Sequence, residues 1–440
     1  MRLPRATGPD MALRPFNAPG ARLALRTKRR ADSLTASAGE SEVILDMSRL
    51  LSRAFHPSPT GIDRVEYVYA RELLDRMPDR LAFAAVHPAG GYYGRLSSAA
   101  VRQFLAFTAA KWRNADQADL REGKSVIRHM FATRPRPVPR PTRPRIYLQV
   151  SPHHLDDHAQ VGAILRAEGA KFVTLVHDVI PLSHPEYARP QGATDHARRV
   201  RTIDRYAAGI IGNSQATLDA LAPHLSRGLD DRMVRVAHFG ADAPDIFGTV
   251  GETLPERPYF VYISTIEPRK NHLLLLNVWR RLVETLGDAA PVLVLIGRRG
   301  WENENVVDIL ERGEILRGHV IEAGEVSDAR MQALTAGARA MLMPSFVEGF
   351  GMPVVEALAA GVPVICSDIT AHREVGGDAP DYIDPLDGLG WMRAVEAYVP
   401  ADSPQRAAQV ARMAGWRAPT WRGYFDIVTD LLDEMQASFA

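Results

Sequence analysis

The sequence predicts an α/β protein of two facing domains, each built on a parallel sheet with helices on both faces. Three observations predict it. Short runs rich in β-branched residues stay apolar at consecutive positions instead of alternating, as strands buried on both faces do. These runs alternate with helical patterns. The whole series occurs twice along 440 residues, a length beyond what one hydrophobic core usually serves.

Residues 1–40 are rich in arginine and small residues and lack the apolar core of a secretory signal, so they read as a disordered basic tail, part of it upstream of a start at Met11. The alternative is a basic arm in peripheral contact with the inner membrane surface through anionic lipid. Residues 41–245 form the first domain, with strands expected at "EVILDM", "RLAFAAVH", "RIYLQVS", "KFVTLVHD", "AGIIGNS" and "MVRVAHF" and helices at "RVEYVYARELLDRM" and "DDHAQVGAILRAEG". Inside it, "RPRPVPRPTRPR" at 134–145 is too proline-rich for helix or central strand and reads as an extended surface loop. The polar stretch "GADAPDIFGTVGETLPERP" is the linker. Residues 256–415 repeat the pattern with "YFVYIST", "PVLVLIG", "HVIEAGEV", "ARAMLMPS", "PVICSD" and "DYIDP". Residues 416–440 carry helical periodicity through Phe425, Val428, Leu431 and Leu432. That helix can pack on either domain, and a return to the amino-terminal one is the organisation adopted.

Composition excludes several functions. Lysine plus arginine, 53, nearly cancels aspartate plus glutamate, 52, which removes the electrostatic argument for a nucleic-acid partner. Cys366 is the one cysteine, so neither an intrachain disulfide framework nor a cysteine-cluster metal site is available, and a cytoplasmic location is expected. No apolar run reaches bilayer-spanning length.

In open α/β sheets ligands bind beyond the carboxyl ends of the strands, so the loops there hold the candidate site. After "YFVYIS" come Arg269, Lys270 and Asn271, two cations and an expected N-cap at a helix start, a combination suited to a diphosphate. After "ARAMLMPS" comes "FVEGFGMPVVEALAAG", in which Gly349 and Gly351 allow close approach of backbone to a ligand and Pro353 opens a helix. Glu348 falls in the loop and Glu356 one turn into the helix, among apolar neighbours where an unpaired carboxylate is costly. By spacing alone, helix-end electrostatics and ligand binding explain these two acids equally well.

Together, "EPRKN", "GRRGW" at 297–301, "EAGEVSDARMQALTAGARAMLMPS", the Glu-seven-Glu pattern "EGFGMPVVE" and "SDITAHREVGGDAPDYIDP" resemble the retaining, nucleotide-sugar-dependent glycosyltransferases of family 4. Those enzymes have the GT-B fold of two facing Rossmann-like domains. The likeness covers 258–390 in order and is looser before it, through "TGIDRVEY", "VHDVIPL" and "GNSQAT". The resemblance implies that Glu348 holds donor-sugar hydroxyls, Glu356 the ribose, and Arg269 with Lys270 the departing diphosphate. It further implies donor contacts at Gly61, Ser264, Asn271, Gly297, Gly349, Phe350 and Gly351, and puts His177 beside the transferred sugar, with Asp178 next to it as the other side chain that can face the sugar. Ser264 stands where relatives commonly carry glycine. His153 and His154 form no metal spacing, and with Asp178 they are expected on the acceptor side.

The resemblance implies a mannosyltransferase-like enzyme moving a hexose from a nucleotide diphosphate sugar, GDP-mannose first, to a polysaccharide or lipid-linked acceptor, with no metal or other cofactor. Rhamnose, fucose and glucose donors and a non-catalytic sugar-binding protein are the alternatives. The intact acidic and basic motifs argue against an epimerase, and the lack of a pyridoxal-phosphate lysine motif argues against a phosphorylase.

Overall fold

In the computed structural model, residues 40–56, 58–113, 121–241 and 254–439 are described. The expected tail and most of the expected linker lie outside them. Among the described residues two sheets form. The first contains β1 Glu42–Asp46, β2 Leu81–Val86, β3 Tyr93–Leu96, β4 Arg145–Gln149, β5 Ala170–Val176, β6 Ala207–Gly212 and β7 Met233–Val236, in the order β3-β2-β1-β4-β5-β6-β7. The second contains β8 Tyr259–Ile263, β9 Val292–Ile296, β10 Val320–Gly324, β11 Met341–Met343, β12 Val364–Ser367 and β13 Asp381–Ile383, in the order β10-β9-β8-β11-β12-β13. All pairings in the second sheet are parallel. This is an α/β architecture of two doubly wound units with helices on the sheet faces. In both sheets the order reverses beside the first strand, and the crevices at β1/β4 and β8/β11 are where ligands bind in such folds.

The uniformly apolar runs form the strands because both faces are covered: Val43 to Leu45 and Leu293 to Leu295 are at most 2% exposed. One strand departs from the expected all-parallel sheet. β3 pairs antiparallel with β2, Phe83 opposite Leu96 and Val86 opposite Tyr93, and caps the sheet edge. The proline-rich run 134–145 forms no helix; it lies along β3 through a single bridge, Arg95 to Arg136, before β4 begins at Arg145.

The terminal helix Trp421–Ala437 packs on the first sheet, against β4, β6 and β7. Thr420 caps it by accepting from the Gly423 N–H at 3.1 Å. Phe425, Val428, Leu431 and Leu432 are fully buried, and the Tyr424 and Tyr69 hydroxyls meet at 2.7 Å. Phe239 packs on both Tyr424 and Phe350, with ring centroids 5.5 and 5.2 Å away, so one apolar cluster runs from the first sheet into the second.

Candidate functional site

Two loops at the carboxyl ends of β8 and β11 build the centre of the site. Beyond β8 the chain turns through a short 3-10 helix, Pro268–Lys270, whose proline supplies the required φ. Asn271 ends the turn in the left-handed region at φ 57°. It stands at the N-cap position that the sequence suggested, before helix His272–Leu286, but its side chain makes no capping bond. Instead its Nδ2 donates to the carbonyls of Pro344 (3.1 Å) and Pro385 (2.9 Å) and pins the two loops together. The Phe346 N–H donates to the Arg269 carbonyl at 2.9 Å, and the Tyr262 hydroxyl to that of Lys270 at 2.6 Å.

That scaffold converges Arg269, Lys270 and Glu348. Arg269 Nη1 lies 2.7 Å from one Glu348 oxygen and Lys270 Nζ 2.5 Å from the other, while Arg269 Nε pairs with Glu267 at 2.7 Å. Burial alone would raise the Glu348 carboxyl, but the two cations hold it well below the usual carboxylate range. Lys270 is pushed down, by burial first and then by Arg269, and Glu348 recovers only part of that cost. Lys270 is thus short of negative charge in the site, whereas Arg269, paired with both Glu267 and Glu348, is held firmly protonated despite its burial.

The glycines here are required sterically. A Cβ on Gly349 would lie 2.3 Å from the His177 carbonyl oxygen, and one on Gly297, at φ 137°, would lie 2.1 Å from that of Ser264. Gly351 stands at φ 94° above His372, whose Nδ1 donates to Ser367 at 3.0 Å and whose buried Nε2 has no partner. Phe350 turns its ring inward, 5% exposed, and leaves its backbone beside Gly351. Ser264 Oγ lies 3.2 Å from His272 Nε2. Gly61 begins helix Gly61–Arg76 and is exposed, and a Cβ there would meet nothing within 4 Å.

Glu356 corrects the expectation of a carboxylate among apolar neighbours. At 100° per residue it points away from Val354, Val355, Ala357 and Leu358, which are buried, and its own side chain is exposed. Protein packed around the carboxyl displaces water from it and pushes it up, Arg64 opposes that, and Asp328 adds to it. Its backbone carbonyl accepts from the Ala360 N–H at 3.0 Å, while among the described residues its carboxylate has no hydrogen-bond or ion-pair partner within reach and both oxygens are available to a ligand. Arg64 reaches Asp328 across the cleft at 2.5 Å, so Glu356 faces a bridge between the two halves.

On the opposing half, His177 follows β5. Its Nε2 lies 2.8 Å from the Val150 carbonyl, which can only accept, so Nδ1 carries the free lone pair. Burial lowers the imidazole pKa. Asp178 turns its Oδ1 to the Ile180 N–H at 3.1 Å. It lines a cavity of about 420 Å³ with His184, Thr217, Phe346, Glu348 and Thr370. His153 and His154 do not line it. They follow β4, with His154 Nε2 3.8 Å from the buried Asp46, and burial with His154 as neighbour pushes His153 down to about 4. The acceptor-side expectation therefore divides, with Asp178 beside Glu348 and the two histidines at the crevice of the first sheet.

Several contributing residues were not singled out in the sequence. Glu374 accepts from the Gln215 and Ala216 N–H groups at 2.6 and 2.9 Å and from His238 Nε2 at 2.7 Å. Ser214 and Thr217 donate to the Gly349 carbonyl at 2.5 and 3.0 Å. Together they hold the two halves closed over the loops. "GNSQAT" and "AHREV" contain all of these but His238, which follows in "MVRVAHF", and nothing in any of the stretches signals that they meet. Among the described residues no group of three or more His, Cys, Asp or Glu could hold a metal ion.

Comparison with known proteins bears on the family and the fold. Residues 251–381 match the family described as glycosyl transferases group 1. Over 141 residues the chain is 43% identical to O-antigen chain mannosyltransferase B of Escherichia coli, covering 32% of this chain and 35% of that one. Over 373 residues it is 26% identical to the serotype-specific mannosyltransferase WbdA of Escherichia coli, covering 81% of this chain and 41% of that one. The chain thus spans well under half the length of either relative. The crystal structure of Anabaena Alr3699/HepE in complex with UDP superposes with a TM-score of 0.53 at 15% identity, over 91% of this chain and 99% of that one, a likeness of fold.

Proposed function

On the premise that residues 251–381 form a glycosyl transferases group 1 domain, we propose that the chain is a retaining mannosyltransferase that uses GDP-mannose to extend a polysaccharide or a lipid-linked oligosaccharide of the cell surface. The observation that carries this reading is the convergence of Arg269 and Lys270 on Glu348 at the β8/β11 crevice. A buried lysine that shares Glu348 with an arginine and is left under-compensated suits a ligand that brings phosphate charge. On donor binding they turn to the diphosphate, and Glu348 is released to sugar hydroxyls.

The chemistry follows from where charge develops. As the bond from the anomeric carbon to the phosphate oxygen breaks, negative charge grows on the diphosphate, and fixed cations in a closed site stabilise it. The acceptor hydroxyl oxygen bonds to the anomeric carbon on the same face and its proton passes to the leaving phosphate, so neither an enzymic nucleophile nor a metal ion is needed. His177 flanks the sugar, Glu356 grips the ribose, and the glycines at 297, 349 and 351 let backbone approach the donor. The two mannosyltransferase relatives support mannose, and the cavity lined by Asp178 supports an acceptor site beside Glu348.

A thermal-shift screen of GDP-, UDP-, dTDP- and ADP-sugars tests the donor. GDP-mannose at a hundredfold excess over its Kd should add about 2.7 kcal/mol of stability. Absence of a shift with every donor contradicts the reading.

A further inference from the structure

The amphipathic helix Arg121–Ala132 and the proline-rich run after it carry a surface that the proposed donor chemistry does not use. Its inward face is spent on the protein: Val126 and Met130 are buried, and the His129 ring stacks on Phe107 at 4.6 Å. Its outward face is unusual. Ile127 is 60% and Phe131 69% exposed, one turn apart in a single stripe. Lys124, Arg128, Arg134, Arg136 and Arg140 are exposed on this helix and the run after it, and Glu122, near the helix start, is the last acidic residue before Asp156. The Arg134 guanidinium lies 5.2 Å from the Phe131 ring centroid, so the apolar tip and its cation are presented together.

We propose that this face docks on an anionic lipid bilayer, with Ile127 and Phe131 entering the interface and the surrounding cations engaging lipid phosphates. Bulky apolar side chains ringed by positive charge are the composition that binds such a surface. A second copy of the chain fits less well, because a two-fold pairing of this patch sets cations against cations, and two apolar side chains fall far short of a stable dimer interface. The purpose of docking rests on the reading of a lipid-linked acceptor, but lipid binding is measured without donor or acceptor.

The test is co-sedimentation of the full chain with vesicles of phosphatidylcholine alone and of phosphatidylcholine with phosphatidylglycerol, at low and high salt. The wild type should pellet with the phosphatidylglycerol vesicles and be released by salt. The pairs Ile127→Ser/Phe131→Ser and Arg128→Ala/Arg134→Ala should each raise the lipid needed for half-binding about tenfold. Both should keep the wild-type melting temperature and turnover on a water-soluble acceptor. If the serine pair fails to fold, Lys124→Glu/Arg128→Glu reads the same surface. Equal binding to phosphatidylcholine alone overturns the proposal. So does binding that neither pair weakens, which would assign the lipid to another segment such as 1–39, and so does a dimer that the serine pair dissociates. Vesicle binding without turnover of any donor would leave this surface standing and remove the transferase reading.

Discussion

Glu348 holds two cations at once, and its substitution should separate its two roles. Glu348→Gln removes the shared counter-charge and leaves Lys270 buried beside Arg269, so unfolding should become easier by about 3 kcal/mol in chemical denaturation. The pH dependence follows from the sign of the shift. The folded carboxyl titrates below its unfolded value, so its contribution to stability is present above the ordinary carboxylate range and is lost as pH falls through the folded value. In Glu348→Gln that part of the acid limb should disappear. Glu356 should behave differently, because its carboxyl is pushed up and unpaired. Glu356→Gln should leave the melting temperature unchanged or slightly higher while raising the KM for GDP-mannose about tenfold. Arg269, Lys270 and Glu348 were legible as residue types in loops after apolar strands. The outward direction of Glu356 was also within reach, since helical phase sets it opposite its four buried neighbours. The unpartnered Nε2 of His372 was not, because only the packing of Gly351 over it reveals it.

Contacts between elements, more than any one side chain, keep the cleft closed. Gly349 brings the loop after β11 against the loop after β5, and Gly349→Ala would force a Cβ onto the His177 carbonyl. That substitution should destabilise by about 1–3 kcal/mol and suppress turnover, because the collision is with backbone, which no rotamer change relieves. Glu374 ties helix Thr370–Gly376 to the start of helix Gln215–Leu221 and to His238. Glu374→Ala should cost about 1 kcal/mol and increase the radius of gyration in solution scattering, as the two halves part. The central strands were readable because burial on both faces leaves continuous apolar runs. β3 was not, because its four residues, Tyr93 to Leu96, include a glycine and an arginine and cap an edge. The N-cap position of Asn271 was readable, but the use of its side chain was not, since two distant carbonyls claim its amide.

At the scale of the molecule, two sheets with the same order reversal face each other, and the terminal helix returns to the first. The fold class was legible because its signal repeats along the chain. The closure of the cleft by Arg64 with Asp328 and Ser58 with Glu325 was not, because those pairs are polar and more than 260 positions apart. The central claim is that this cleft grips a nucleotide diphosphate sugar through Arg269 and Lys270. The most direct measurement is single-turnover transfer from GDP-mannose by the wild type and by Arg269→Ala/Lys270→Ala, with circular dichroism to verify that both are folded. A loss of at least about a hundredfold in the transfer rate of the folded double variant is the predicted result. Transfer by that variant at the wild-type rate would contradict the account.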